Sequence, residues 1–461
     1  MLEMRILILI LSLSASLNCC HDLNLNTLIR LSEDGEEPTF TSKHMNIVFT
    51  LLLPHLSRWK SLSILTDCWA PVYTALTAIN PVITHIGAPL LESLSLMRCN
   101  DLISFSPIFQ PQKLKEPEFL TRGGQNSECP SNEIFPSLKY LSLQGVHVNW
   151  DSLGNILSTS ETGLTCLVLG AHSDEVRPSR NQLFKILSSS IGLRNLVLSA
   201  SGPSLSASAS GPSTSSAVQN DCASLPHLRN LTIGYRTAME GLVALNLINA
   251  PCTKKLVLED ATYVGDLNDI NAAPLLSYFG TGQFVGTHQN SLLVPFPLLE
   301  RLILTRVKTS SQNFTEFFRS PLSSNLLHLE LKGMSMEAIH ALLPDENCYT
   351  YLNSGCPLAC PKLRSLCISQ VEQLDFEFII GNFDRQTMGG ACPLEKVDIY
   401  VNAATANCVL QVPPTSLVTI FYNYDSELAM QEGDSCYDEY YASFEEIPVV
   451  PVSEDNYVFL Y

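Results

Sequence analysis

Nine residues in the second half of this chain, Lys255, Glu259, Arg301, His328, Glu330, Lys332, Lys396, Asp398 and Tyr400, recur at alternate positions between leucines, isoleucines and valines. Mixed charge with an aromatic ring at that spacing suits reversible contact with another protein, because arginine and tyrosine are enriched where binding energy concentrates. Charges on adjacent strands also pair with one another for solubility, and that is the competing reading of the same residues. Bond-making chemistry needs other signatures. The chain has no Gly-x-Ser-x-Gly elbow, no Walker-type phosphate loop and no His-Glu-x-x-His motif. Gly280-Thr-Gly282-Gln-Phe-Val-Gly286 misses the dinucleotide fingerprint by one residue and reads as a loop. Lone histidines such as His172 and His328 read as surface or satisfied core residues. No catalytic residue and no cofactor are expected.

Metal chemistry has one local candidate among the fifteen cysteines, the group Cys348, Cys356, Cys360 and Cys367 with His340 nearby. Its spacings of eight, four and seven lack the two tight pairs of a zinc ribbon, so no metal site is expected. Cys166 and Cys367 fall inside apolar segments, where a free thiol behaves as a small apolar side chain.

The elements that position these residues repeat. Eleven segments follow the pattern apolar-x-x-apolar-x-apolar, most clearly Leu91–Leu96, Leu138–Leu143, Leu164–Leu169, Leu193–Leu198, Leu299–Leu304 and Leu326–Leu331. Less regular copies centre on Leu62, Leu231, Leu256, Leu366 and Val397. From centre to centre the steps are 32, 47, 26, 29, 35, 25, 46, 27, 37 and 31 residues, the length of a leucine-rich repeat, with the two long steps holding an insertion or a missed copy. Side chains alternate across a strand, so the last two apolar residues of each copy share one face, and a short strand buries such a face only by stacking on its neighbours. The expected fold is α/β, a leucine-rich-repeat solenoid with a curved parallel sheet and helices and loops on its outer face.

Return segments fit this layout. Leu153, Ile156 and Leu157, then Leu183, Phe184 and Leu187, then Phe314, Phe317 and Phe318, then Ile339, Leu342 and Leu343 have helical spacing. Proline precedes several strands, as in Phe135-Pro136, Leu225-Pro226, Phe296-Pro297 and Cys360-Pro361, and turns the chain back. The side chains between the leucines then line the concave face. Ser93, Ser95, Met97, Tyr140, Ser142, Gln144, Cys166, Val168, Gly170, Asn195, Val197 and Ser199 make its first half small and neutral. The nine residues named at the outset make the second half the expected partner-binding surface.

The strand openings "FPSLKYLSL", "LPHLRNLTI", "FPLLERLIL" and "CPKLRSLCI" resemble the leucine-rich repeats of fungal F-box proteins, particularly the divergent families of mushroom-forming (basidiomycete) fungi, over roughly residues 56 to 424. The resemblance implies a substrate receptor of a cullin-type ubiquitin ligase, in which an F-box docks on the ligase adaptor and the repeats select the target. The first fifty-odd residues lack the family's helical Leu-Pro-rich opening, so adaptor binding is expected only with an F-box upstream. Either the chain is incomplete or it has lost docking, and a chain without activity is a third, weaker possibility.

Three regions follow: an N-terminal segment at 1–55, repeats at 56–424 with a Ser-rich loop at 199–216, and a tail at 425–461. At 461 residues, 46% hydrophobic and 16% charged, the chain suits a repeat array that grows by addition. The apolar run Ile6 to Leu17 is too short to span a bilayer, which takes about 20 residues. It reads either as a first strand, in a cytoplasmic or nuclear protein, or as a secretion signal within residues 1–20, in a secreted or surface protein that binds an extracellular ligand. The sequons at Asn230 and Asn313 do not decide between them. Net charge is −18, and no lysine or arginine follows Lys396, which argues against nucleic acid as a partner. The tail carries ten carboxylates and seven aromatic rings, as a mobile terminus or as a docking segment. A protein target and a monomer are expected.

Overall fold

Each leucine-spaced segment forms a strand, and the strands pair in the order in which they occur. The computed structural model describes residues 8–15, 27–30, 41–66, 68–98, 106–117, 119–120, 134–159, 163–204, 222–262, 270–281, 295–343, 358–370, 391–402 and 418–423. The acidic tail, Cys348, Cys356, the Gly282–Gly286 stretch and all but the first six residues of the Ser-rich segment lie outside them.

The strands are β1 (Ile8–Ala15), β2 (Thr27–Arg30), β3 (Trp59–Thr66), β4 (Ser93–Arg98), β5 (Tyr140–Gln144), β6 (Cys166–Gly170), β7 (Asn195–Ser199), β8 (Ala223–Ser224), β9 (Asn230–Tyr235), β10 (Ile248–Asn249), β11 (Lys255–Asp260), β12 (Arg301–Thr305), β13 (His328–Lys332), β14 (Ser365–Ser369), β15 (Lys396–Asn402) and β16 (Val418–Asn423). The helices are α1 (Ser42–Leu52), α2 (Trp69–Ile86), α3 (Trp150–Thr159), α4 (Arg180–Ser188), α5 (Ala238–Asn246), α6 (Ala273–Thr281), α7 (Ser311–Phe318) and α8 (Met336–His340). The fold is mixed α/β, with helices around one large sheet in which twelve strands, β3 to β7, β9 and β11 to β16, run parallel. At its edge β1 lies antiparallel to β3, and β2 antiparallel to β1. Among the described residues no helix is long and apolar enough to cross a membrane.

Register keeps the leucines together. Leu62, Leu94, Leu141, Leu167, Leu196, Leu231, Leu256, Leu302, Leu329, Leu366, Val397 and Val418 are successive partners across the sheet. A second ladder two residues on runs from Ile64 to Ile420 in the same way. Apart from Val418, which is partly buried, the members of the first ladder are buried, and they share one core with the inward residues of the helices. Each such leucine contributes about 1.5–3 kcal/mol by leaving water. The helical spacings hold: Leu153, Ile156 and Leu157 lie in α3, Leu183 and Leu187 in α4, and Phe314, Phe317 and Phe318 in α7, all buried. Of the last trio only Ile339 is within a helix, while Leu342 and Leu343 lie in the turn after it, also buried.

Both ends of the strands are built by recurring turns. Before a strand, the proline sits second in a turn closed by Leu138 N–H to the Phe135 carbonyl, Leu228 to Leu225, Leu299 to Phe296 and Leu363 to Cys360, at 3.0–3.3 Å. After six strands the next residue has positive φ: Gly145, Ala171, Ala200, Arg306, Gly333 and Gln370. Five of the six donate their N–H to the end of the parallel strand beside them, four to its last residue, as Gly145 to Gly170 and Arg306 to Lys332, and Ala200 to Gly234, one residue before the end of β9. Only two of the six are glycine, so the hydrogen bond holds Ala171, Ala200 and Arg306 in a conformation that L-residues disfavour by about 1–2 kcal/mol.

The two long steps contain insertions. β4 pairs directly with β5, and β11 with β12, in the common register, so no further parallel strand intervenes.

Polar groups inside this frame are tied to one another where the segments after β6, β7 and β9 meet. Glu240, in α5, is fully buried and accepts from Gly202 N–H and Arg236 N–H at 3.0 Å while pairing with Arg177 Nη1 at 2.7 Å. Arg177 is also buried, donates from Nε to the His172 carbonyl, and pairs with Asp174 at 3.0 Å. A Cβ at Gly202 would meet Glu240 Cγ at 2.6 Å, so glycine is what lets the carboxylate approach. His172 is buried with both ring nitrogens engaged. The Val146 carbonyl can only accept, so Nε2 carries the proton and Nδ1 accepts from the Ser201 hydroxyl at 2.7 Å. His147 stacks on Trp69 with ring centroids 4.9 Å apart, meets the edge of Phe109, and bonds the Lys115 carbonyl.

Candidate functional site

Residues between the leucines form three rows across β11 to β16. The first is Lys255, Arg301, His328, Ser365 and Lys396, the second Val257, Ile303, Glu330, Cys367, Asp398 and Thr419, and the third Glu259, Thr305, Lys332, Ser369, Tyr400 and Phe421. Strand spacing puts neighbours in a row about 4.8 Å apart. All nine residues expected at this surface therefore come together on one side of the sheet.

Long side chains from the outer rows lie over shorter ones in the middle row. Ile303 and Asp398 are buried, so Asp398 is not open to a partner as its place in the pattern implies: the arm of Lys396, whose Nζ is 2.5 Å from Asp398 Oδ2, covers it. Asp398 Oδ1 is buried without a hydrogen-bond partner. Glu330 pairs with Arg301 at 3.2 Å and with Lys332 at 3.1 Å, and Glu259 lies 3.6 Å from Arg306. Cross-strand and same-strand pairing thus does occur here, and exposed pairs of this kind are worth about 0–1 kcal/mol each. The cations stand proud of the anions: side-chain exposure is 34–58% for Arg306, Lys332, Arg301 and Lys396, against 11–21% for Asp398, Glu330 and Glu259. At the edge of the face, Tyr400 and Phe421 stack with centroids 4.6 Å apart and rings 13° from parallel. Both remain about 40% exposed. Phe421 and Arg306 also belong to the site, beyond the nine residues expected from the sequence. Alternation in Val418-Thr-Ile420-Phe421 was the available signal for the first, and the place of Arg306 just past Thr305 was that for the second.

Hydrogen bonding to Asp398 raises the Lys396 ammonium, and partial burial, with Cys367 and Asp398 close by, raises the Tyr400 phenol. Burial pushes the Cys367 thiol up to about 12, and Glu330 and Asp398 add to it. A protonated thiol is a poor nucleophile. Cys166 and Cys360 are likewise pushed up to about 12 by burial. Among the cysteines of the described residues, alkylation of the native protein at pH 8 is therefore expected to mark the exposed Cys222 and Cys392 first, with Cys166, Cys360 and Cys367 following only on unfolding. Peptide mapping of a short iodoacetamide pulse checks this, and early labelling of Cys367 contradicts it.

No family model matches this chain, and no curated protein does.

The remaining expectations divide. His328 is exposed, whereas His172 is a satisfied core residue. Cys360 lies in the main core with its thiol against the Phe318 carbonyl, while Cys367 points to the other side of the sheet, so these two of the four clustered cysteines do not face a common centre. Among the described residues no three His, Cys, Asp or Glu side chains are gathered as a metal site. The first half of the face is small and neutral as its residue types imply, but much of it is closed over. Ser142, Gln144, Cys166, Val168, Val197 and Ser199 are buried, and Cys166, Val168 and Val197 form a small second core with Tyr140 against it. Adjacent register positions filled by small apolar side chains make that packing possible; Ser93, Ser95, Met97, Tyr140 and Asn195 stay partly exposed, and the exposed positions His328, Lys396, Tyr400, Thr419 and Phe421 lie in the charged half.

Proposed function

We propose that this protein is a non-enzymatic recognition module, a leucine-rich-repeat solenoid that holds a protein target on the β11–β16 face. The observation that carries the reading is the in-register assembly of charged tips beside an exposed aromatic stack on the side of the sheet opposite the core. Such a combination supplies both anchor and steering: a ring pair for buried contact and charge for orientation. The finer role, substrate receptor of a cullin-type ubiquitin ligase, rests on the resemblance of the strand openings to fungal F-box repeat proteins, and adaptor docking on an F-box upstream.

The second reading is a secreted or surface repeat protein with an extracellular ligand, favoured by the apolar run at the N-terminus. Both sequon asparagines weigh against it. Asn230 sits within β9 with Nδ2 2.6 Å from Asn195 Oδ1, and Asn313 Nδ2 donates to Thr309 and Ser310 at 2.8 Å. A glycan at either would displace these bonds.

Affinity purification of the tagged chain tests the proposal. The wild type is expected to retain a defined protein target that the triple variant Arg301→Ala, Lys332→Ala, Tyr400→Ala loses by at least tenfold, as expected when anchors worth about 1.4 kcal/mol or more are removed. Full capture by the variant overturns the binding face. Glycan on secreted material overturns the intracellular role and leaves the rival.

A further inference from the structure

We infer that a cleft between α6 and α7, on the helix side of the sheet and away from the β11–β16 face, binds a primary ammonium on a short alkyl stem. Its volume is about 160 Å³. Roughly 150 Å³ holds one benzene ring in an apolar cavity, so the cleft has room for about six non-hydrogen atoms. Leu276 and Phe317, both buried, give it an apolar wall. The space exists because α6 has Gly280 here: a Cβ at that position would meet nothing closer than Ser320 Cβ at 3.8 Å.

The polar lining asks for a donor. Asn313, Glu316 and Ser320 line the cleft from α7 and the turn after it. Thr309 already donates its hydroxyl to Asn271, so Asn313 Nδ2 donates to Thr309 Oγ1 and to Ser310 Oγ, both at 2.8 Å, and Asn313 keeps only its carbonyl oxygen. Glu316 Oε1 accepts from Gln312 Nε2 at 2.9 Å, and among the described residues no lysine, arginine or histidine pairs with this carboxylate. Ser320 is only 7% exposed, and its Oγ is buried without a hydrogen-bond partner. A buried hydroxyl left unsatisfied on a cavity wall calls for an occupant. Gly280 adds the last turn of α6, where helix carbonyls lack intrahelical donors and the dipole favours a cation. No lysine, arginine or histidine is among the lining residues. An ammonium matches this set, because it carries three donors, no acceptor and a positive charge. Its stem then lies against Leu276 and Phe317.

The test uses the full chain with n-butylammonium chloride, 1-butanol and sodium butyrate, binding being read by saturation-transfer NMR on the ligand. Butylammonium is expected to bind at least about tenfold tighter than butanol, the difference that one charge-assisted hydrogen bond makes, and butyrate is expected not to bind. Glu316 is exposed, so Glu316→Gln leaves the fold intact; it is expected to weaken butylammonium about tenfold and to leave butanol unchanged. Gly280→Leu fills the cleft and is expected to abolish binding of both. N-acetyl-lysine N-methylamide separates two sources of the same group: binding as tight as that of butylammonium assigns the cleft to a lysine side chain of a partner, and no binding assigns it to a free amine, either of which upholds the ammonium site. Equal affinity for butanol and butylammonium overturns the inference, and so does binding that neither substitution changes.

Discussion

Replacing Glu240 with alanine is expected to cost about 3–5 kcal/mol and to lower the thermal midpoint sharply, because it leaves Arg177 buried without its nearest counter-charge. Two backbone donors lose their acceptor in the same step: Gly202 N–H and Arg236 N–H both end on this carboxylate. An unsatisfied buried donor costs about 1–3 kcal/mol, so the pair and the backbone bonds act in the same direction. Glu240→Gln keeps one acceptor and the volume, and is expected to fall between wild type and alanine. Denaturant unfolding of the two variants measures the difference. A loss below about 1 kcal/mol for the alanine variant would show that the network is not the fastening between the segments after β6, β7 and β9.

Acid is expected to destabilise the fold well above the carboxylate range. His172 has its pKa lowered to about 3, chiefly by burial, and His147 to about 4, again chiefly by burial with Arg98 and Lys115 adding repulsion. In the unfolded chain both titrate near 6.5. Between these values the unfolded state binds protons that the folded state refuses. The stability held in the neutral rings is thus complete above about pH 6.5, and is lost as pH falls toward about 4 for His147 and about 3 for His172. At about 1.4 kcal/mol per pH unit, each ring forfeits about 2 kcal/mol by pH 5. Thermal midpoints at pH 7.5 and pH 5 are the measurement, and His147→Gln is expected to halve the slope between them. A midpoint that does not move over this interval would mean that both rings charge without penalty.

Much of the sheet was legible because leucine spacing encodes which side of a strand is covered. That rule placed eleven of the parallel strands and gathered all nine expected face residues on one side. It missed β16, where valine and isoleucine replace the leucines and the preceding apolar position is less regular. Alternation says which way a side chain points and nothing about what lies over it. Cys166, Val168 and Val197 point away from the main core as expected and are buried nevertheless. For the same reason Asp398 occupies its expected row beneath an arm of Lys396 that only three-dimensional packing reveals. The left-handed turns after the strands were equally hidden, since Ala171, Ala200, Arg306 and Gln370 carry no glycine to mark them. Glu240 and Gly202 stand 38 residues apart, and no local pattern announces that one must be small for the other to reach it.

The unequal returns between strands have a thermodynamic consequence. Between the centres of β4 and β5 the chain travels 47 residues, and between those of β5 and β6 only 26, yet both pairs meet in the same alignment. Closing the longer excursion costs only about 0.5 kcal/mol more chain entropy, because that penalty grows with the logarithm of length. Backbone hydrogen bonds between adjacent strands, and not the distance travelled to reach them, set the pitch of the array. The back of this molecule is therefore free to lengthen, shorten or acquire new segments without moving any residue on its front.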